Sequence, residues 1–268
     1  MSTEQPSIDA LARSYATTAA EVHRDHASYL RSLPEQAWSG PTGCKEWTVR
    51  DLAGHVVGEA VWFPTLVRGV TRGEPAPPDE LWESFKTLPP GELADTLEQA
   101  ADSIVSSVDE ATTEHLQQTV DLGFTKMPLW QATFVCLFES VYHHWDARSG
   151  RDPAATVPTP WAQQLATRAV EFAPLIASRE AAGGAPGRYV LQVGDGVGPV
   201  TVTAQGGEVT IERGALDRPD VTARLSADQY VRLLAGRLDL ARSIETGEVP
   251  VQGDRDRASG LNRIFPGV

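Results

Sequence analysis

The stretch Pro128–Gly150 constrains this chain more than any other. Proline suits a first helical turn, where its missing N–H costs nothing. Glycine suits the position just past a helix end, where φ is often positive. Between the two lie Leu129, Trp130, Phe134, Val135, Leu137, Phe138, Val141, Tyr142 and Trp145, spread around every side. A helix apolar all round is a buried helix. Yet Glu139, His143 and Asp146 sit inside it, and their spacing of four and then three stacks them on one face. A buried carboxylate needs a partner. Two arrangements supply one: a metal ion gripped by a Glu and a His one turn apart, or a structural Glu–His–Asp hydrogen-bond network. Asp146 also falls in the last turn, where the helix dipole disfavours an acid. A proton from a ligand histidine, or Arg148, would compensate it.

The rest of the chain sets the context. Its 268 residues suffice for two domains, and a hydrophobic content of 41% is ordinary for a globular protein. No apolar run approaches the roughly 18 residues that cross a bilayer, so no membrane partner is expected. The opening residues, MSTEQPSIDA, have neither the basic start nor the apolar core of a secretory signal. The two cysteines, Cys44 and Cys136, form no disulfide framework and no CxxC pair. These features predict a cytoplasmic protein. A net charge of −13 excludes a general nucleic-acid binder, which must lay positive charge along phosphates.

Ile8–Leu33 reads as a long amphipathic helix, started by Ser7 and stopped by Pro34; His23 and His26 lie on it. A loop rich in breakers, Trp38–Trp47, follows. Thr48-Val-Arg-Asp51 matches a capping box and opens a second helix, with Leu52, His55, Val56, Glu59 and Trp62/Phe63 on one face. Pro64 is expected to kink this helix or end its regular part. A lone histidine such as His55 on an apolar face is usually a core residue with one satisfied nitrogen. A distant Glu/His pair lacking a third ligand changes that reading, with Glu59 as the alternative or supplementary ligand. The proline-rich segment Thr71–Pro90 is long enough for a lid or a crossing connection, with Trp82 and Phe85 able to fold over a pocket. A third helix spans about Gly91–Val108, and a short one is expected near Glu114–Val120. Four long amphipathic segments make a four-helix bundle, an architecture that builds metal sites from facing helices.

After Gly150 the character changes. Residues 151–187 read as a linker containing a helix over Trp161–Ala182, disturbed at Pro174. From residue 188 to 268 the periodicity alternates, with a Gly206-Gly207 hairpin, a strand at Val221–Leu225 and short helices at Ser226–Ala235 and Leu238–Thr246. The predicted class is α+β: a helical bundle over 1–150, then a small α+β domain.

Two sets of residues carry a resemblance. Trp47-Thr-Val-Arg-Asp51-Leu-Ala-Gly-His55, followed by Glu139-x-x-x-His143-x-Trp145-Asp146, resembles the mycothiol-dependent maleylpyruvate isomerase family, relatives of the DinB-like metal-binding bundles. Leu225-Ser-Ala-Asp228, Leu234-Ala-Gly236-Arg-Leu238, Gly247 and Gly253-Asp254 resemble a sterol-carrier-protein-2-like domain, the usual C-terminal companion in that family. The resemblance implies that His55, Glu139 and His143 hold Zn²⁺ or another divalent first-row metal. His144 lies about 100° around the helix from His143, so only one of them can face the site with Glu139, and spacing favours His143. A place for His144 at the pocket rim stays open.

Two imidazoles and one carboxylate leave such a metal positively charged with open positions, as in catalytic sites. The resemblance implies mycothiol as co-substrate, delivered as a thiolate to a small electrophilic substrate. If the thiol adds to a cis-enedione, permits bond rotation and leaves, the enzyme is an isomerase; if it stays, an S-transferase. Asp146 would orient a ligand histidine or handle a proton. Arg237, or else Arg213, Arg224 or Arg242, would hold a substrate carboxylate. The alternatives are a metal-assisted hydrolase without thiol and a non-catalytic binder of a small molecule or lipid.

Overall fold

The structure is a computed structural model in which residues 6–75, 81–184 and 186–267 are described. The chain divides into two compact units, Met1–Ala155 and Thr156–Val268. The class is α+β, as expected.

The first unit is built on four long helices. Helix α1 (Ile8–Ser32) is capped by the Ser7 hydroxyl. A 3₁₀ turn over Glu35–Ser39 leads to α2 (Val49–Arg72), which starts with the Thr48/Asp51 capping box. Pro64 does not end α2: the helix continues to Arg72 and closes on Gly73 in the left-handed region. Pro64 and Val67 are buried, so packing holds the turn that the missing N–H weakens. A short α3 (Leu81–Phe85) stands within the proline-rich segment, of which residues 76–80 lie outside the described residues. Then come α4 (Pro90–Asp109), α5 (Thr113–Gln117) and α6 (Leu129–Ser149). A small antiparallel hairpin, β1 (Thr119–Asp121) with β2 (Lys126–Pro128), feeds the start of α6. It was not foreseen, because three-residue strands carry too little periodicity to be read.

Helix α1 packs on α4 and α6, and α2 packs on the same two helices from another side. No residue of α6 is exposed, as an all-round apolar sequence requires. Gly150 ends α6 with φ −64°, not the positive φ expected. A side chain at Gly150 would run into the Pro41 carbonyl, so the glycine serves close approach of the Pro41–Thr42 backbone.

In the second unit, α7 (Thr159–Ile176) and α8 (Arg179–Gly184) precede the sheet. The stretch 151–187, read from sequence as a linker with a helix, therefore lies mostly within this unit: Ala162, Leu165 and Ala166 of α7 are buried, and the helix packs on the segments Ala227–Leu234 and Glu208–Arg213. The sheet contains β3 (Gly187–Val193), β4 (Gly198–Gln205), β5 (Glu208–Arg213) and β6 (Val221–Leu225). Helices α9 (Ala227–Leu234) and α10 (Leu240–Glu245), strand β7 (Val251–Gly253), and helices α11 (Arg255–Ser259) and α12 (Leu261–Ile264) complete it. Strand order is β5-β4-β3-β6-β7, with β3 and β6 parallel and the other pairs antiparallel. Gly206 and Gly207 form the two-residue β4–β5 turn, both with positive φ (61° and 83°). Among the described residues no helix is long and apolar enough to cross a membrane.

Candidate metal centre

Helices α2 and α6 pack together, and each carries a His and a Glu one turn apart. On α2, His55 Nε2 lies 3.4 Å from Glu59 Oε1; on α6, His143 Nε2 lies 3.2 Å from Glu139 Oε2. Across the interface the two imidazoles stand edge to face, with ring centres 4.9 Å apart. The ligand atoms of all four side chains fall within 4.8 Å of one another. Two segments that stand eighty residues apart at their nearest thus converge on one spot because the bundle sets their inward faces against each other.

His143 uses its two nitrogens differently. Nε2 faces the cluster, while Nδ1 is 3.1 Å from Asp146 Oδ2. Asp146 is fully buried and also accepts a hydrogen bond from the Cys44 thiol at 3.0 Å. The Cys44 sulfur is 3.7 Å from His143 Nδ1. The breaker-rich loop before α2 makes this possible. Gly43 N–H donates to the Asp146 carbonyl at 2.8 Å, and the Thr42 hydroxyl accepts from Cys44 N–H at 3.1 Å. A side chain at Gly43 would strike the Asp146 carboxylate, so this loop passes the end of α6 only as glycine.

Aromatic rings wall the cluster. Trp47 lies 4.8 Å from the His55 ring and 6.1 Å from His143, and Trp82 of α3 lies 5.4 Å from His55 at 31°. A cavity of about 630 Å³ opens beside the cluster, with Glu59, Glu139, Trp62, Trp82, His23 and Ser140 in its wall. Among the described residues that line it there is no lysine or arginine.

Burial and the nearby Glu139 push the Glu59 carboxyl above the usual range, against the pull of His55 and His143. Burial pulls His143 down, but its hydrogen bonds with Asp146, Cys44 and Glu139 outweigh that and hold it well above the ordinary imidazole value. Two carboxylates and two imidazoles thus face one another in a half-buried pocket, and a cation among them is the natural compensation. Two nitrogens and two carboxylate oxygens suit a divalent first-row ion, so the residues present fit the metal expected from sequence.

The structure therefore brings His55, Glu139 and His143 together, with Glu59 as a fourth donor and Asp146 behind His143. His144 turns the other way: it is buried and pairs with Asp25 of α1 at 2.8 Å. Arg237 belongs to the second unit, where its Nη1 donates to the Ala235 carbonyl at 2.7 Å. Arg213, in the same unit, donates to the Thr167 carbonyl. Sequence reasoning missed Cys44. Its contact with Asp146 spans 102 positions, and only the glycine beside it hinted at a close passage.

Residues 19–148 match the family described as the mycothiol maleylpyruvate isomerase N-terminal domain, and residues 173–266 match the SCP-2 sterol transfer family. By these matches the helical unit belongs to the first of these families and the second unit to the second. Two crystal structures of the mycothiol-dependent maleylpyruvate isomerase resemble this chain along most of its length. The unmodified enzyme is 21% identical with a TM-score of 0.56; a mutant with one histidine changed to alanine is 19% identical with a TM-score of 0.57. Each match covers 84% of this chain and 90% of the other. At that identity the likeness speaks for the fold. No curated protein sequence matches.

Proposed function

We propose that the protein is a metal-dependent enzyme that uses mycothiol, a low-molecular-weight thiol, as co-substrate and acts on a small electrophile as an isomerase or S-transferase. The observation that carries this reading is the meeting of the His55/Glu59 and Glu139/His143 pairs beside one cavity. The family of the helical unit, and the names of its structural relatives, support mycothiol as the thiol.

His55, Glu139 and His143 are the proposed ligands. When bound, a divalent ion such as zinc supplies the Lewis acidity that favours the thiolate over the thiol. Three ligands with one negative charge leave that ion net positive, whereas Glu59 as a fourth would cancel the charge. Glu59 is therefore assigned a proton instead: burial and Glu139 already raise its affinity for one, so its Oε1 suits the proton that a thiol sheds. Asp146 accepts from His143 Nδ1, which fixes the ring and directs the Nε2 lone pair into the cluster. Trp47 and Trp82 flank the His55 ring and limit the directions it can take.

The test is metal analysis of the purified protein, followed by turnover of maleylpyruvate and a panel of electrophiles with and without mycothiol. Stoichiometric divalent metal and strictly thiol-dependent turnover are expected. Absence of metal sinks every enzymatic reading, and turnover indifferent to thiol points to metal-assisted hydrolysis.

A further inference from the structure

The cavity beside the metal centre has a charge pattern and an apolar wall that together select what enters it. Three carboxylates, Glu59, Glu139 and Asp121, line it, and the described lining residues include no lysine or arginine. Residues 76–80, outside the described set, contain none in their sequence. Lys126 stands 3.3 Å from Asp121, and its charge is spent on that pair. At the centre, Glu139 cancels one of the two charges that a divalent ion brings, and the thiolate of the co-substrate cancels the other. Glu59 adds a negative charge or, when protonated, none. The site therefore keeps no surplus positive charge, and an anionic second substrate finds no counter-charge in its wall.

Trp62 of α2, Trp82 of α3 and Phe124 of the β1–β2 turn line the same space. Trp82 is seated closely on α2: a Cβ at Gly58 would run into its six-membered ring, so glycine there admits the indole. Phe124 is 76% exposed, and among the described residues it is the one large apolar side chain left in solvent. The turn that carries it is held in place. Gly123 has φ 85° and donates to Asp121 Oδ1 at 2.9 Å, and Leu122 N–H donates to the Thr125 carbonyl at 2.9 Å. Because Phe124 continues the wall of Trp62 and Trp82, it belongs to a binding face and is no isolated surface ring. We infer that the second substrate of this cavity is an uncharged electrophile whose aromatic body packs against Trp62, Trp82 and Phe124, and that carboxylate-bearing electrophiles are disfavoured. This rests on the thiol-dependent reading given under Proposed function and names the substrate class of that site.

Two unreactive probes of one shape isolate the charge: 2-naphthamide is neutral and 2-naphthoate is an anion. The zinc-loaded full chain is first saturated with mycothiol, so that naphthoate cannot simply ligate the metal. Each probe is then titrated by calorimetry. The amide should bind about tenfold more tightly than the carboxylate. Asp121→Asn, which leaves Lys126 its charge, should narrow that gap about threefold by strengthening naphthoate alone. Phe124→Ala should weaken naphthamide about fivefold, what covering roughly 40 Å² of apolar surface supplies. The same variant should unfold in urea as the unmodified protein does, since its ring is mostly in solvent; a purely structural Phe124 would give the reverse. Naphthoate binding as tightly as naphthamide, or neither probe binding, overturns the inference and leaves the thiol-dependent reading standing. Unchanged naphthamide affinity in Phe124→Ala overturns the placement of the aromatic body. Failure of the unmodified protein to bind mycothiol overturns the thiol-dependent reading and this inference with it.

Discussion

Replacing Asp146 by asparagine probes the centre without touching a proposed ligand. The carboxylate accepts from His143 Nδ1 at 3.1 Å and from the Cys44 thiol at 3.0 Å, with no exposure to solvent. Asparagine keeps the shape, but both bonds use the same oxygen, Oδ2, so it offers the two donors either one neutral, weaker acceptor or an N–H₂ that faces them both. Removing a carboxylate behind a metal-binding histidine typically costs 10- to 100-fold in metal affinity, or about 1.4 to 2.7 kcal/mol. A second effect opposes the first. In the metal-free protein burial lowers the His143 pKa, but bonds to Asp146, Cys44 and Glu139 raise it further, so a proton competes with the metal. Asp146→Asn weakens that competitor too. The loss should therefore be larger at about pH 9 than at about pH 6, where more proton competes. Competition with a chromophoric zinc chelator at the two pH values measures both affinities. An equal loss at both, or none at either, would refute the assignment of Asp146 as the group that sets His143.

Other substitutions test other parts of the argument. His55→Ala should weaken zinc by more than the roughly 100-fold ceiling of an outer carboxylate, read in the same chelator assay, while the far-UV spectrum stays helical. Gly150→Ala should destabilise the protein by about 1 to 3 kcal/mol in urea unfolding, since the new Cβ meets the Pro41 backbone with no flexible atom to yield. Three buried histidines, His23, His26 and His144, make stability fall in acid. Burial, the largest cause for each, lowers His23 to about 3, His144 to about 4 against the pull of Asp25, and His26 well below its ordinary value, whereas the unfolded chain binds protons near 6.5. Stability is thus whole above about pH 6.5 and is lost as pH falls from there towards 4, by about 1.4 kcal/mol per unit for each such group. His26 is fully buried, and among the described residues neither ring nitrogen has a hydrogen-bond partner. His26→Leu should gain about 1 kcal/mol at neutral pH and flatten the acid slope in unfolding curves taken across that window.

How far the sequence could be read follows from what each signal depends on. Local patterns spoke clearly. The capping box at Thr48/Asp51, the stripe of α1 and the paired glycines of the β4–β5 turn each rest on residues a few positions apart, and each formed as written. The spacing of Glu139, His143 and Asp146 is also local, and the two carboxylates lie at the two nitrogens of the His143 imidazole. His55 needed the resemblance as well, because nothing within α2 tells an inward ligand from an inward core histidine.

The illegible features are those made by close passage between distant backbones. Gly150 reads as an ordinary helix stop, yet its φ is unexceptional and its lack of a side chain serves Pro41. Gly43 reads as one more loop glycine, yet it lets the Cys44 thiol reach Asp146. His23 and Ser140 are unremarkable in sequence; their pairing and the cavity they share exist only once α1 lies on α6. In this bundle Glu139 and His143 come from helical periodicity, which the sequence displays openly. The groups that tune those ligands and shape what enters beside them come from packing, which only the folded unit displays. A variant series that alters cavity residues while sparing the four donors should therefore change which electrophile is preferred more than whether metal binds.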